Sequence, residues 1–515
     1  MRKILMVASE ASPFAKTGGL ADVITGLPPA LNKRGADVRV IMPKYEFAGK
    51  SKMVIRDVET GEFEESEEKK TLSDILRENN MELEHICHFN VNLGWRQLYC
   101  GIERTTYRGV IYYFVDNEFY FRRDSCYGFG DDGERFAFFC RAVLGAIPYL
   151  DFVPEIIHCH DWQAGMVPVL LKTQYNGLEL YRDIRTIFTI HNLKFKGIYG
   201  ISEMKEWFGL GNEYFTSDKL ELYGTGSFIK GGLVYADIIT TVSDTYAQEI
   251  KYPFYGEQLE GLLLARENSL FGIVNGIDYE LYNPKTDPYI YKNYTKSTLK
   301  EKRVNKTELQ KQLGLTVNED IPMIGLVSRL TDQKGLALIE CVFDEIMREE
   351  VQFVVLGSGD WKYEEMFQQA VNRYPGKVAV KIAYSDPRAQ RIYAASDFFL
   401  MPSLFEPCGL GQMISMRYGT LPIVRETGGL KDTVISYNEE TGEGNGFSFT
   451  NYNAHDMLFT ILRALRIYKK KTLRAKLIKA AMSCDFSWET PSLKYMELYD
   501  QLKEGQHKVP DEGLE

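Results

Sequence analysis

The stretches KILMVASE (residues 3–10) and KTGGLADVITGLPPAL (residues 16–31) decide how this chain is read. The first is a short apolar run of the kind that forms a buried strand. The second has the apolar spacing of an amphipathic helix and is opened by Gly18 and Gly19. Glycine weakens helices and strands, so a Gly-Gly pair marks backbone that bends sharply or lies close to something else. At a helix start the first N–H groups lack partners and the helix dipole adds partial positive charge, which suits an anion. Lys16 places a full positive charge beside them. The alternative is that the glycines only let the chain turn and Lys16 is solvated.

Outward from this unit, the chain alternates strand and helix patterns. ADVRVIMPKY (36–45), VIYYFVDN (110–117), EIIHCHD (155–161) and IRTIFTIHN (184–192) read as strands, and WQAGMVPVLLKTQYN (162–176) as a helix. GLVYADIITTVS (232–243) reads as a helix end feeding a strand. The second half repeats the programme. IPMIGLVSRL (321–330), VQFVVLGSGD (351–360), FFLMPSLF (398–405) and GTLPIVRETGG (419–429) are strands leading into loops, with ALIECVFDEIMRE (337–349) as a helix. Such alternation implies parallel sheets with helices on both faces. The Gly-, Asn-, Pro- and Asp-rich stretch SLFGIVNGIDYELYNPKTDP (269–288) marks turns and a domain entry. The acidic DVETGEFEESEEKK (57–70) is expected to be a solvated excursion.

The fold class expected is therefore α/β, with two Rossmann-like doubly wound domains facing a central cleft. The divisions are residues 1–257 and residues 258–487, and the resemblance given below implies a further C-terminal segment, 488–515. Length agrees, because single cores stop growing at roughly 250–300 residues and this chain has 515. RETGGLKDTV (425–434) echoes the opening KTGGLADVI, so each domain offers a helix-opening glycine pair.

Composition narrows the function. A net charge of −10 without a dominant basic block argues against nucleic acid as main partner. The 8 cysteines contain no C-x-x-C pair, which fits a reducing cytosol better than a zinc site or a disulfide scaffold. The apolar run at the N-terminus is too short for a signal peptide, and no stretch approaches a membrane span. A cytoplasmic protein without membrane partners is the expectation. The 32 Tyr, 29 Phe and 5 Trp fill cores, and exposed rings among them would suit stacking on sugar faces.

Common nucleotide and hydrolase motifs are missing. There is no P-loop, H-E-x-x-H or G-x-S-x-G run, and GTGSFIKGG (224–232) lacks the third glycine of a dinucleotide fingerprint. What remains is charge at strand ends. VSRLTDQKG (327–335) sets Arg329 and Lys334 in a loop after a strand, either to clamp a diphosphate or as surface charge at a helix start. In MPSLFEPCGLGQM (401–413), Glu406 follows a strand and precedes Cys408 and Gly409. It either accepts hydrogen bonds from ligand hydroxyls or caps a helix. HCHDW (158–162) brings His160 to another strand end, and Gly357 and Gly359 form a tight turn suited to close approach by a nucleotide. Phosphate binding, a hydroxyl-binding carboxylate and no clear metal motif are what transfer of a sugar from a nucleotide diphosphate requires.

The same stretches carry a resemblance. KTGGLADV, HCHDWQAG, TIHNLKFKG, SFIKGGLVYAD, VNGIDYELYNP, VSRLTDQKG, VVLGSGD, RIYAASDFFLMPSLFEPCGLGQM, YGTLPIVRETGGLKDTV and DFSWE, in this order, resemble the bacterial and plant glycogen/starch synthases over nearly the whole chain. The resemblance implies a GT-B arrangement. It also implies transfer of glucose from ADP-glucose to the non-reducing end of an α-1,4-glucan such as glycogen, with retention of anomeric configuration. No cofactor or metal is implied. Donor binding falls on Lys16, Gly18 and Gly19, pyrophosphate contacts on Arg329 and Lys334, and the glucose hydroxyls on Glu406. His160 lines the pocket near the reacting carbon, through its side chain or its main-chain carbonyl. Gly357, Gly359, Cys408, Gly409 and Gly429 complete the substrate-binding set. The cations, with the amides of the Gly18–Gly19 turn, are expected to take the place of a divalent metal. The C-terminal segment is expected to cross back to the first domain.

Leu404 stands where many relatives have Arg, Gly411 where many have Thr or Ser, and Gln390 where His is common. Two rival readings stay open: a synthase of the same fold using UDP-glucose or another nucleotide sugar, and a non-catalytic glucan-binding protein. Joint retention of Lys16, Arg329, Lys334 and Glu406 speaks against the second. A glycoside hydrolase would need two close carboxylates, of which only Glu406 stands out. Oligomeric state is not readable.

Overall fold

The computed structural model describes residues 2–47, 53–56, 63–66, 70–383 and 385–504. They divide into two compact units, one formed by the chain up to Gly276, apart from 52–66, together with the segment from Trp488, the other by 52–66 and Ile277–Ser487.

The second unit is built on a six-stranded sheet. Its spatial order is Val378–Ile382, Gln352–Gly357, Met323–Val327, Phe398–Met401, Leu421–Arg425, Phe447–Phe449. Every neighbour pair is parallel. Counted along the chain, this is the order third, second, first, fourth, fifth, sixth, the doubly wound Rossmann arrangement. Such strands are covered by helices on both faces, which is why QFVVLG (352–357) and LPIVR (421–425) are buried at every position.

The first unit follows the same plan and adds to it. Its nine-stranded sheet runs Leu270–Gly272, Ile238–Thr241, Arg185–Ile190, Ile156–His160, Lys3–Val7, Asp37–Pro43, Val110–Asp116, Arg96–Tyr107, Glu84–Leu93. Neighbours are parallel as far as Val110–Asp116, and the final two strands join antiparallel. Lys3–Val7 again sits centrally, next to Ile156–His160, with Met6 opposite His158 and Val7 opposite Cys159. The antiparallel edge hairpin Glu84–Tyr107 is an element that the strand–helix alternation did not announce. The 162–176 stretch, expected as one helix, changes pitch. A 3-10 turn at Trp162–Ala164 gives way to an α-helix at Met166–Leu170 and a π turn at Leu171–Tyr175. Of the acidic stretch 57–70, Phe63–Ser66 is a strand paired with Met53–Arg56, and the remainder other than Lys70 lies outside the described residues.

One boundary differs in detail from the sequence division. Leu270–Gly272 is hydrogen-bonded to Ile238–Thr241, so the first unit continues past residue 257, to Gly276. The helix Glu489–Glu504 belongs to that unit as well. Tyr495, Leu498, Tyr499 and Leu502 on it are buried in the first core. Arg34 pairs with Glu489 at 2.9 Å and Arg2 with Asp500 at 2.6 Å. Trp488 lies on Gly26 of the Gly19–Lys33 helix so closely that a Cβ there would stand 2.0 Å from the indole nitrogen. Among the described residues no helix is long and apolar enough to cross a membrane.

Candidate functional site

In an open doubly wound sheet, ligands bind beyond the strand carboxyl ends at the point where strand order reverses. Each unit has such a point, and the sequence-selected residues gather at both.

In the second unit the reversal lies between Met323–Val327 and Phe398–Met401, paired at Ile324 with Phe398. The loop after the first of these strands carries Arg329, which is exposed, and Lys334, which is half-buried. The loop after the second carries Glu406, buried at 6% exposure. Lys334 donates to Glu406 Oε2 at 2.7 Å, and the Ser403 hydroxyl donates to the same oxygen at 3.0 Å. Main-chain bonds lock the two loops together. Leu404 N–H donates to the Gln333 carbonyl at 2.9 Å, while Arg425, at the end of the next strand, donates to the Leu404 carbonyl at 2.7 Å. Glu406 is thus an ion-pair partner and not a helix cap, and Lys334 is fixed in place rather than swinging in solvent.

The glycines of this unit explain how the loops come so close. A Cβ on Gly335 would stand 1.9 Å from the Pro402 carbonyl oxygen, and φ is +71° there. Gly357 and Gly359, read from sequence as room for a nucleotide, are closed off on the Cβ side by the neighbouring loop. Their Cβ atoms would stand 1.9 Å from the Ser328 carbonyl oxygen and 2.4 Å from that of Leu330. Gly428 and Gly429 press in the same way on the Glu406–Cys408 backbone, at 1.9 Å from the Glu406 oxygen and 2.1 Å from the Cys408 oxygen. Gly409 has φ of +73° and Cys408 is buried. The Phe399 ring and the Tyr393 hydroxyl stand against the position that a Cβ at Gly411 would take. Gln390 is buried and donates to the Leu281 carbonyl at 3.3 Å.

In the first unit the reversal lies between Lys3–Val7 and Ile156–His160. Lys16, after the first strand, pairs with Asp22 at 2.9 Å. Thr17, Gly18 and Gly19 are exposed, and a Cβ on Gly18 would meet nothing within 4 Å. Gly18 has φ of −159°, extended backbone that any residue adopts, so nothing inside the fold demands glycine there. One expectation is corrected. The Gly18 N–H does not point outward to an anion but donates to Glu10 Oε2 at 3.2 Å, as the Thr17 N–H does at 2.5 Å.

His160 is wholly buried, not set on an open wall. Its ring stacks on His158 with centroids 4.2 Å apart, and its Nδ1 meets His191 Nε2 at 3.0 Å. His158 is bonded in turn to Tyr499 at 2.9 Å and Thr189 at 2.6 Å. Burial pushes His158 and His191 down to about 3, and burial plus the two neighbouring rings push His160 well below its ordinary value. The stack is neutral at physiological pH. Next to it Asp161 holds φ of +57°, a strained position for a non-glycine residue. Its Oδ1 accepts the His191 N–H at 2.7 Å. Loss of solvent nonetheless raises its carboxyl to about 7, against the pull of the His191 and Asn192 amides. Among the described residues no group of three or more His, Cys, Asp or Glu is placed to hold a metal ion.

The family described as "Starch synthase catalytic domain" matches residues 3–265, and "Glycosyl transferases group 1" matches residues 306–483. A glycogen synthase of Desulforamulus reducens is 52% identical over 97% of this chain and 98% of its own length. The chain belongs to the glycogen/starch synthase family. Another member, a glycogen synthase of Geobacillus stearothermophilus, is 51% identical over 98% of this chain and 99% of its own. The catalytic domain of Arabidopsis thaliana starch synthase IV, solved bound to ADP and acarbose, is similar in structure. The TM-score is 0.86 at 32% identity, covering 97% of this chain and 99% of that one. A sucrose-phosphate synthase from Thermosynechococcus elongatus shares the fold alone, with a TM-score of 0.57 at 16% identity over 98% of this chain and 100% of that one. The paired Rossmann-like units are those of GT-B glycosyltransferases.

Beside the residues selected from sequence, the chain has Glu10, Tyr127, Asp161 and His191 at its first reversal point. Glu10 was open to discovery by the rule that selected Glu406, a carboxylate just past a buried strand. Asp161 owes its prominence to a backbone angle, for which sequence holds no sign.

Proposed function

We propose that this chain transfers glucose from ADP-glucose to the non-reducing end of an α-1,4-glucan, glycogen being the natural acceptor, with retention at the anomeric carbon. What carries the reading is identity of about half the residues to glycogen synthases along the whole chain, together with the Lys334–Glu406 pair at a Rossmann reversal point.

In the transfer, the bond between glucose C1 and the β-phosphate oxygen breaks while C1 bonds to the acceptor 4-oxygen. The acceptor hydroxyl proton passes to the leaving phosphate, and ADP departs. Negative charge grows on the diphosphate and positive charge on the sugar ring, so fixed cations aimed at the diphosphate supply the main stabilisation. Arg329 and Lys334 take that part and Lys16 assists. Glu406 orients the glucose hydroxyls, and its pairing with Lys334 holds both groups ready before substrate arrives. Gly18 gives the donor room, and Cys408 and Gly409 belong to the loop that carries Glu406. His160 acts from beneath the site, as part of the neutral stack that supports the strand ends. With cations supplied by the chain, transfer should persist in EDTA. The cytoplasm is the compartment that fits the thiol usage.

A radiolabel assay with a glycogen primer tests this. Incorporation from ADP-[14C]glucose, released by an enzyme specific for α-1,4 linkages, is expected. Label incorporated faster from UDP-glucose, or none from either donor, would overturn the reading.

A further inference from the structure

Glu10 is unusual in what it accepts. Its carboxylate is buried, with the residue 4% exposed, at the end of the central strand Lys3–Val7. Oε2 takes the main-chain N–H of Thr17 at 2.5 Å and of Gly18 at 3.2 Å. Oε1 takes the Thr17 hydroxyl at 2.6 Å and the Tyr127 hydroxyl at 2.8 Å. Tyr127 is itself steadied by the Ser9 hydroxyl at 2.7 Å.

The two amides are among those that the Lys-Thr-Gly-Gly turn would otherwise offer to a bound anion, since they lead into the Gly19–Lys33 helix. They are already held by an anion belonging to the protein. A carboxylate with several charge-assisted donors fixes the groups around it strongly. The loop also presents the Lys16 ammonium, held by Asp22 at 2.9 Å, and the open face of Gly18, where a Cβ would meet no other atom within 4 Å. We infer that Glu10 is a positioning residue for the nucleotide sugar. It ties the loop from behind so that Lys16 and the bare Gly18 backbone stand at fixed places for the donor, and it touches neither donor nor acceptor. The inference rests on the reading that this loop meets ADP-glucose.

The geometry also says which variant should rescue. A glutamine keeps the length of the side chain. Its amide oxygen accepts both main-chain N–H groups, and its NH2 donates to the Thr17 and Tyr127 hydroxyls, which can turn to accept. Alanine leaves all four donors without a partner. Small displacements of a binding group are costly, up to about 10²-fold for roughly 1 Å.

The experiment measures donor KM, acceptor KM and kcat for wild type, Glu10→Ala and Glu10→Gln, with ADP affinity by calorimetry on the same proteins. Expected are a donor KM and an ADP Kd raised about tenfold or more in Glu10→Ala, an unchanged acceptor KM, and Glu10→Gln close to wild type in both. A Glu10→Ala protein that matches wild type overturns the inference. So does a Glu10→Gln protein as impaired as Glu10→Ala, because charge rather than geometry would then be the active property. If Glu10→Ala does not fold, Tyr127→Phe removes one donor and keeps the rest, and an unaltered donor KM and ADP Kd there overturn it equally. Wild-type protein that transfers nothing from ADP-glucose sinks the proposed function instead, and the ADP affinities still report on the positioning role.

Discussion

Glycine pairs open helices in both units, yet the structure gives them opposite reasons, and two alanine variants separate these. In Gly429→Ala the new Cβ would lie 2.1 Å from the Cys408 carbonyl oxygen and 2.6 Å from its Cα. Both are main-chain atoms, so no side chain can swing away, and ordinary contact begins at 3.4 Å. The 406–408 loop must retreat by roughly 1 Å, and overpacking of this kind costs about 1–3 kcal/mol. The retreat also moves Glu406, whose carbonyl accepts the Gly429 N–H at 3.2 Å. A shift of that size at a substrate-orienting group lowers kcat/KM by up to about 10²-fold. Gly18→Ala adds a methyl group in open space at an extended φ, so stability should change by less than about 1 kcal/mol. Donor KM should nonetheless rise severalfold, because the space is kept for the ligand. Urea titrations read the stabilities, and initial rates over a donor series read the kinetics. Gly429→Ala as stable as wild type would refute the close-approach argument, and Gly18→Ala with an unaltered donor KM would refute the ligand argument.

Two further expectations follow from charge. Arg329→Ala should lower turnover at saturating ADP-glucose by about 10²–10³ if the guanidinium stabilises the leaving diphosphate, by analogy with other preorganised donors. Unchanged turnover removes Arg329 from the chemistry. Acid should weaken the first unit through the histidine stack, since His158, His160 and His191 are held neutral when folded but protonate in the unfolded chain below 6.5. Their folded values are depressed, so the stability they contribute is present above pH 6.5 and is lost as pH falls toward 3. Each proton adds a slope of roughly 1.4 kcal/mol per pH unit. Asp161, raised to about 7, works in the opposite sense and offsets one of the three. Denaturant midpoints at pH 7 and pH 5 check this, and a midpoint that rises on acidification would contradict it.

Much of the fold was legible in the sequence because buried parallel strands are continuous apolar runs. IIHCH (156–160) and QFVVLG (352–357) declare themselves by composition alone. The edge hairpin Glu84–Tyr107 did not, since one of its faces is solvated and its pattern blurs into loop. Within the candidate site, Lys334 and Glu406 were chosen for being charges at strand ends, and a 2.7 Å contact joins them. The glycines were ambiguous for a physical reason. Gly18, Gly357 and Gly429 look alike in sequence, and only the neighbours of the missing Cβ tell a packing glycine from one that leaves room. The partner of the Gly18 amide is not legible in sequence because Glu10, which accepts it, lies eight positions earlier in the chain.

The helix Glu489–Glu504 has a consequence for biosynthesis. Its buried tyrosines and leucines complete a core whose first strand begins at Lys3, so the first unit is assembled from segments almost 500 positions apart in the chain. A ribosome releases the earlier end first, and domains generally fold as they emerge. Here the unit begun earliest has to wait until the helix Glu489–Glu504 has left the exit tunnel, while the stretch Ile277–Ser487 leaves it sooner. Through that interval the helix Gly19–Lys33 carries a bare seat at Gly26, uncovered until Trp488 arrives. Truncation from the C-terminal end should therefore injure the part of the protein that is made first.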